Sequence, residues 1–152
     1  MSPEEKLQEL GIRLPDMPKP LGSYVPCVRA GQLIFLSGML PLENGKLMRT
    51  GKVGGDITID EAMEDARKTV INALAVLKVH TGSLDKIKRC VKITGYIASA
   101  PDFAEQPRVL NAASDLLSDI FGEGGRHARA AVGVNVLPLH SPVEIEFIFE
   151  AV

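Results

Sequence analysis

Two runs near the C-terminus alternate apolar and other residues with period two, and that alternation limits the fold more than any other feature of the chain. The stretch His127–Phe147 reads H-A-R-A-A-V-G-V-N-V-L-P-L-H-S-P-V-E-I-E-F. Runs 128–136 and 143–149 have strand character, and a Pro-bounded turn separates them, so a C-terminal β-hairpin is predicted. Because strand side chains alternate faces, Ala128, Ala130, Val132, Val134 and Val136 share one apolar face. Opposite them lie His127, Arg129, Ala131, Gly133 and Asn135. On the second run Val143, Ile145, Phe147 and Phe149 form the apolar face, and Glu144 and Glu146 point the other way. Arg129 thus stands beside positions with almost no side chain, which leaves room for a small anion. The same pattern equally describes a solvated cross-strand pair of Arg with Glu, contributing at most ~1 kcal/mol.

The rest of the chain supplies helices for such strands. Ser2 and Pro3 start a short helix over 3–10, and Gly11 stops it. Leu14–Pro20 is extended and Pro-rich, an arm lying on the domain or on a neighbour, so residues 1–20 are read as an N-terminal arm and 21–152 as the domain. Tyr24–Ala30 and Leu33–Met39 form a hairpin through a tight Ala-Gly-Gln turn, and a short strand is expected near Lys46–Arg49. Thr58-Ile59-Asp60-Glu61 fits a capping box, and Ala62, Met63, Ala66, Val70, Ala73, Leu74 and Leu77 repeat at helical spacing until Gly82. Glu64, Asp65, Lys68 and Asn72 are its expected solvated face. A strand follows over Ile87–Ser99, then a second helix prefigured by Asp102-Phe103 and carrying Leu110, Ala113, Leu116, Leu117, Ile120 and Phe121 on one face, with Gly122 as its stop. Strand 128–136 returns across a right-handed crossover, parallel to 87–99.

This order predicts an α+β domain with two helices on one face of a mixed sheet. The second face, expected to carry the His127/Arg129 row with Ala131, Gly133 and Asn135, is then uncovered and meets another subunit. Net charge is −2 without a basic run, which argues against a nucleic-acid partner. No apolar run approaches membrane-spanning length and the acidic N-terminus lacks a signal-peptide core, so a cytoplasmic protein without a membrane partner is expected. Cys27 and Cys90 lack metal-ligand or nucleophile motifs and read as reduced, small core residues. No metal site is expected.

R-x-A-V-x-V-x-x-L-P at 129–138 with V-E-I-E at 143–146, together with G-S-Y-V-P at 22–26 and F-L-S-G at 35–38, resembles the RidA (YjgF) family of reactive-intermediate deaminases. The resemblance covers about Leu21 to Val152. It implies a chorismate mutase-like fold, a homotrimer with three clefts between subunits, and cofactor-free hydrolysis of enamines or imines such as 2-aminoacrylate to 2-keto acids and ammonia. Carried over by motif, Arg129 binds the substrate carboxylate and Glu144 positions water and shuttles protons. Tyr24, Ser37, Gly38, Asn111 and Ala131 complete the substrate-binding set. Glu146 faces the same side as Glu144, so only the motif selects between them. Ala131 stands where many members carry Cys, which removes any thiol role but spares a backbone contact. Met39 replaces the usual Gln after S-G, and the segment between Phe103 and Asn111 is longer than in short members. His127 reads as a substrate contact or, as is commoner for such a residue, as a packed or interface histidine. Two other functions are weighed: a trimeric carboxylate-binding sensor without turnover, which needs only Arg129, and an endoribonuclease, which the charge disfavours.

Overall fold

The computed structural model describes residues 1–17 and 22–152. The end of the predicted arm, 18–20, and the first domain residue, 21, lie outside the described residues. In chain order the elements are α1 (Pro3–Glu9), β1 (Cys27–Ala30), β2 (Leu33–Leu36), β3 (Leu42–Glu43), β4 (Lys46–Leu47), α2 (Ile59–Thr81), β5 (Ile87–Ala98), α3 (Gln106–Phe121), β6 (Ala128–Val134) and β7 (Val143–Ala151). Five strands form one sheet in the order β1-β2-β7-β5-β6, and β3 and β4 form a separate two-stranded ribbon. The α+β class, with a mixed sheet and two long helices against one face, is what the sequence predicts; α1 is a third, short helix.

The capping box at Thr58 is complete: its side chain accepts from Glu61 N, and Glu61 answers on the Thr58 backbone N–H. Gly82 ends α2 in the left-handed region at φ 85°, a conformation that glycine adopts without steric cost. Both long helices bury their apolar stripes against Val143, Ile145, Phe147 and Phe149 of β7 and Ile93 and Ile97 of β5, all of them essentially inaccessible. Each such large side chain contributes about 1.5–3 kcal/mol by leaving water. The arm docks on its own domain: Leu7 is buried, Glu4 accepts from Leu84 N and Lys78 Nζ, and its backbone N–H donates to Asp85.

Four expectations are corrected. The C-terminal runs are not a hairpin, because β5 lies between them, parallel to β6 and antiparallel to β7. The twelve residues of β5 offer both edges, and the 137–142 segment, with Leu139 and His140 at positive φ, carries the chain past its end. The first hairpin is shorter than predicted, since Pro26 precedes β1 and Ser37–Met39 leave regular pairing, with Met39 keeping a lone bridge to Ile145.

The third correction concerns faces. Arg129 is in register with Ile93, and Ala131 with Gly95, so the Arg129 row looks toward the helices rather than toward open space. A Cβ at Gly95 would fall 2.6 Å from Leu110 Cδ1, so α3 sits directly on this part of the sheet. Ala131 and Gly133 are small because a helix crosses them. The open face carries Ala128, Ala130, Val132 and Val134 instead at its β6 edge, with Val28 and Phe35 of the first hairpin at the opposite edge. Fourth, Asp65 and Asn72 of α2 are buried rather than solvated. Asn72 donates to the carbonyls of Leu40 and Leu42, and Asp65 pairs with Arg49 from the segment after β4.

Candidate active site

Arg129 lies on β6, the edge strand, half-buried under α3. Its Nη1 donates to Ser114 Oγ at 3.0 Å, and its Nη2 donates to Asn111 Oδ1 at 2.9 Å and to the Pro107 carbonyl at 3.3 Å. Pro107, Asn111 and Ser114 are spaced i, i+4 and i+7, so helical periodicity alone brings them to one face. All three acceptors are neutral, and among the described residues no carboxylate pairs with this guanidinium. Three bonds leave donors of its five N–H groups for a further acceptor. Beyond Arg129 along the same row, Ala131 packs against the core, and Gly133 lies beneath the Gln106 amide, 2.7 Å from where a Cβ would stand.

Behind the guanidinium is a second layer. Ser114 Oγ is 2.9 Å from His127 Nε2, and His127 Nδ1 is 2.6 Å from the Gly125 carbonyl. Asn111 is therefore, in this chain, a partner of Arg129. Ser114, which the sequence reading missed, is another. Its signal was visible: a polar residue three positions after Asn111 on a helix face that otherwise turns apolar.

The remaining predicted residues gather elsewhere. Glu144 of β7 is in register with Tyr96 and points to the open face. Gly38 packs on it so closely that a Cβ would sit 2.0 Å from Glu144 Oε2. Ser37 beside it donates from Oγ to the Val25 carbonyl at 2.7 Å and from its backbone N–H to the Pro26 carbonyl at 2.9 Å. Those two bonds hold the segment that carries Tyr24 next to Gly38. The Tyr24 ring lies against Gly22 and is 48% exposed.

Environment separates the two glutamates. Glu144 is half-buried, and its carboxyl is held above the usual range, by desolvation first and then by the negative charge of Glu146. Glu146 is exposed and accepts from the Tyr96 hydroxyl, an interaction that in turn raises the phenol above its ordinary value. Those surroundings suit the Glu144 carboxyl to exchanging protons. Neither cysteine shares that suitability: burial raises the Cys27 thiol and pushes Cys90 up to about 12. Among the described residues no group of three His, Cys, Asp or Glu side chains is placed to hold a metal ion. Nor, among the described residues, is any helix long and apolar enough to cross a membrane.

The predicted set therefore forms two clusters. Arg129, Asn111 and Ala131 lie on the helix side of the sheet at its β6 edge. Glu144, Gly38, Ser37 and Tyr24 lie toward the other side. Within one chain the sheet stands between Arg129 and Glu144.

Similarity to known proteins extends over nearly the whole chain. Residues 4–151 match the family model described as "YjgF/chorismate_mutase-like, putative endoribonuclease". Protein TCP17 of Trypanosoma cruzi is 40% identical over 145 residues, which cover 95% of this chain and 91% of that one. The 2-iminobutanoate/2-iminopropanoate deaminase of Dermatophagoides farinae is 30% identical over 138 residues, 90% of this chain and 92% of that one. The crystal structure of Atu1372 from Agrobacterium tumefaciens, a protein of unknown function, superposes with a TM-score of 0.91 at 44% identity, covering 99% of this chain and 92% of that one. With the motifs from Gly22 to Glu146 and a family model matched from the first helix to the last strand, the chain belongs to the YjgF (RidA) family.

Proposed function

We propose that this protein hydrolyses small enamine and imine acids to 2-keto acids and ammonia, in clefts completed between the subunits of a homotrimer. The observation that carries the proposal is Arg129: a half-buried guanidinium held by three neutral acceptors, with no carboxylate partner among the described residues. Its charge is available to an anionic substrate, and its planar fork suits a carboxylate. A second copy, packed through the open face, brings Glu144, Gly38, Ser37 and Tyr24 to the Arg129 edge of the first. The deaminase relative from Dermatophagoides farinae supports the reaction class.

In this reading the substrate carboxylate docks on Arg129 and the C=N carbon faces Glu144. An enamine is first protonated on carbon, giving the imine. Ionised Glu144 takes a proton from water as the water oxygen bonds to the C=N carbon, and the nitrogen gains a proton. The resulting carbinolamine loses its C–N bond as Glu144 returns the proton to nitrogen, and its hydroxyl proton passes to solvent, replacing the one the imine nitrogen took from there, so that ammonia leaves and C=O remains. Atoms balance as imino acid plus water to keto acid plus ammonia, with no oxidant or cofactor. Binding without turnover would need only Arg129; the raised carboxyl of Glu144 favours turnover. The endoribonuclease reading finds little support, since His127 is engaged by Ser114 and Gly125.

The test is to generate 2-iminopropanoate with an amino-acid oxidase and follow its capture by semicarbazide. Wild-type protein is expected to suppress the trapped product, and Glu144→Gln to lose roughly 10²–10⁴-fold in rate. Wild-type protein that binds pyruvate yet gives no acceleration over buffer would contradict the proposal.

A further inference from the structure

Arg129 does not rest on α3 alone. The two end bonds behind it have forced directions. The Gly125 carbonyl can only accept, so the hydrogen of His127 lies on Nδ1. A guanidinium can only donate, so Ser114 Oγ accepts from Arg129 and its own hydrogen needs another destination. His127 Nε2, 2.9 Å away, is that destination. A cationic ring would instead turn a second N–H toward the same hydroxyl and add a positive charge one residue behind the guanidinium. With the Ser114 hydroxyl donating to Nε2, the sequence Arg129 to Ser114 to His127 to Gly125 carbonyl is a one-way chain through an Nδ1–H imidazole.

We propose that His127 is a positioning residue for the substrate carboxylate: its Nε2 fixes the Ser114 hydroxyl so that the oxygen lone pair faces Arg129 and sets the plane of the fork. The inference rests on the reading of Arg129 as the carboxylate binder. Without an acceptor at position 127, a helical serine turns its hydroxyl to the carbonyl four residues back, here Leu110, and its lone pairs leave the guanidinium. The Asn111 and Pro107 bonds would hold Nη2 in place but allow the fork to rotate. The effect falls on binding, because the chain never reaches the reacting C=N carbon.

The experiment measures KM, kcat and the Kd for pyruvate on the full chain. His127→Phe, which keeps a ring and removes both nitrogens, is expected to raise KM and the pyruvate Kd about 3- to 10-fold, the worth of one net hydrogen bond, with kcat nearly unchanged. Ser114→Ala should give the same rise, and the double variant no more than either, since both break one chain. His127→Gln supplies an amide oxygen near the Nε2 position and should restore most of the affinity. Independently of any variant, the imidazole nitrogen resonances of His127 should show hydrogen on Nδ1 and none on Nε2, which keeps the proposal testable even if His127→Phe fails to fold. An Nε2–H tautomer, or additive losses with a matching fall in kcat, would overturn it. Arg129→Lys is measured alongside. If it weakens pyruvate binding while His127→Phe and Ser114→Ala do not, this inference fails and the carboxylate site stands. If Arg129→Lys has no effect, the site itself is misassigned.

Discussion

Glu144 and Glu146 are two residues apart on one strand face, and alternation gives no reason to prefer either. Their surroundings do: Glu144 packs on Gly38 and is desolvated, whereas Glu146 is exposed and occupied by Tyr96. Because desolvation and the neighbouring charge both favour its protonated form, ionised Glu144 is lost at a higher pH than an ordinary carboxylate. The account therefore predicts an acid limb in kcat/KM above the usual carboxylate range. Glu146→Gln removes the like charge and should move that limb to lower pH while sparing most of the activity. Equal loss from Glu146→Gln and Glu144→Gln in a pH-rate series would show that the acid–base is misassigned. At Arg129, the arginine-to-lysine change keeps the charge but loses the fork, and Arg129→Ala should raise the pyruvate Kd about ten- to a hundred-fold, as loss of a charged hydrogen-bonding partner does. Calorimetry giving an unchanged Kd would contradict this.

At the scale of elements, local signals were legible where the physics is local. A cap, stops and stripes placed α2 and α3 because Thr58, Gly82 and Gly122 act within one turn of themselves. Which strands would be neighbours was not legible, because period two reports faces and says nothing about partners; β6 and β7 look like a hairpin and are separated by β5. The face of Arg129 was misread for a related reason. Ala131 and Gly133 are small beneath α3, and a small residue looks the same in sequence whether a helix or a subunit covers it.

Two element-level predictions follow from close packing. Gly38→Ala puts a methyl group 2.0 Å from Glu144 Oε2, the mobile end of a side chain. The fold should therefore survive with a melting temperature near wild type while turnover drops with Glu144 displaced; a fully active Gly38→Ala would contradict the contact. Asp65 is wholly buried in α2, with Arg49 Nη1 3.1 Å from Oδ2 but hydrogen-bonding the Glu61 carbonyl at 2.6 Å. Neither carboxylate oxygen accepts a hydrogen bond among the described residues. Burial, only partly offset by Arg49, raises this carboxyl from 3.8 to about 6. The folded state thus holds the proton more tightly than the unfolded state. The resulting stability is fully present below pH 3.8 and is lost as pH rises through about 6. At about 1.4 kcal/mol per unit, the change across that window is up to about 3 kcal/mol. Asp65→Asn should accordingly gain on wild type in denaturant melts as pH rises from about 4 to about 7. A difference that stays constant would show that Asp65 is fully compensated in the fold.

The whole molecule leaves one sheet face open, and Val28, Phe35 and Val132 on it are 55%, 40% and 39% exposed. Exposed apolar side chains at both ends of one sheet face, on β1 and β2 and on β6, suit burial against another copy. The proposed trimer predicts three chain masses by light scattering at micromolar concentration, and a monomer would remove the basis for a site between subunits. That such a face exists was readable from the order of strands and helices. Which row occupies it needed the register of β5 with β6. The central claim is that Arg129 of one chain and Glu144 of another serve the same substrate, since the sheet separates them within one chain. Subunit mixing tests it most directly. Arg129→Ala and Glu144→Gln proteins, each nearly inactive alone, are unfolded together, refolded as an equal mixture and assayed for imine hydrolysis. Random assembly should rebuild about a quarter of the sites with both residues intact, and activity should recover toward that fraction. Recovery is the predicted result; a mixture no more active than its components, though assembled, would contradict the account.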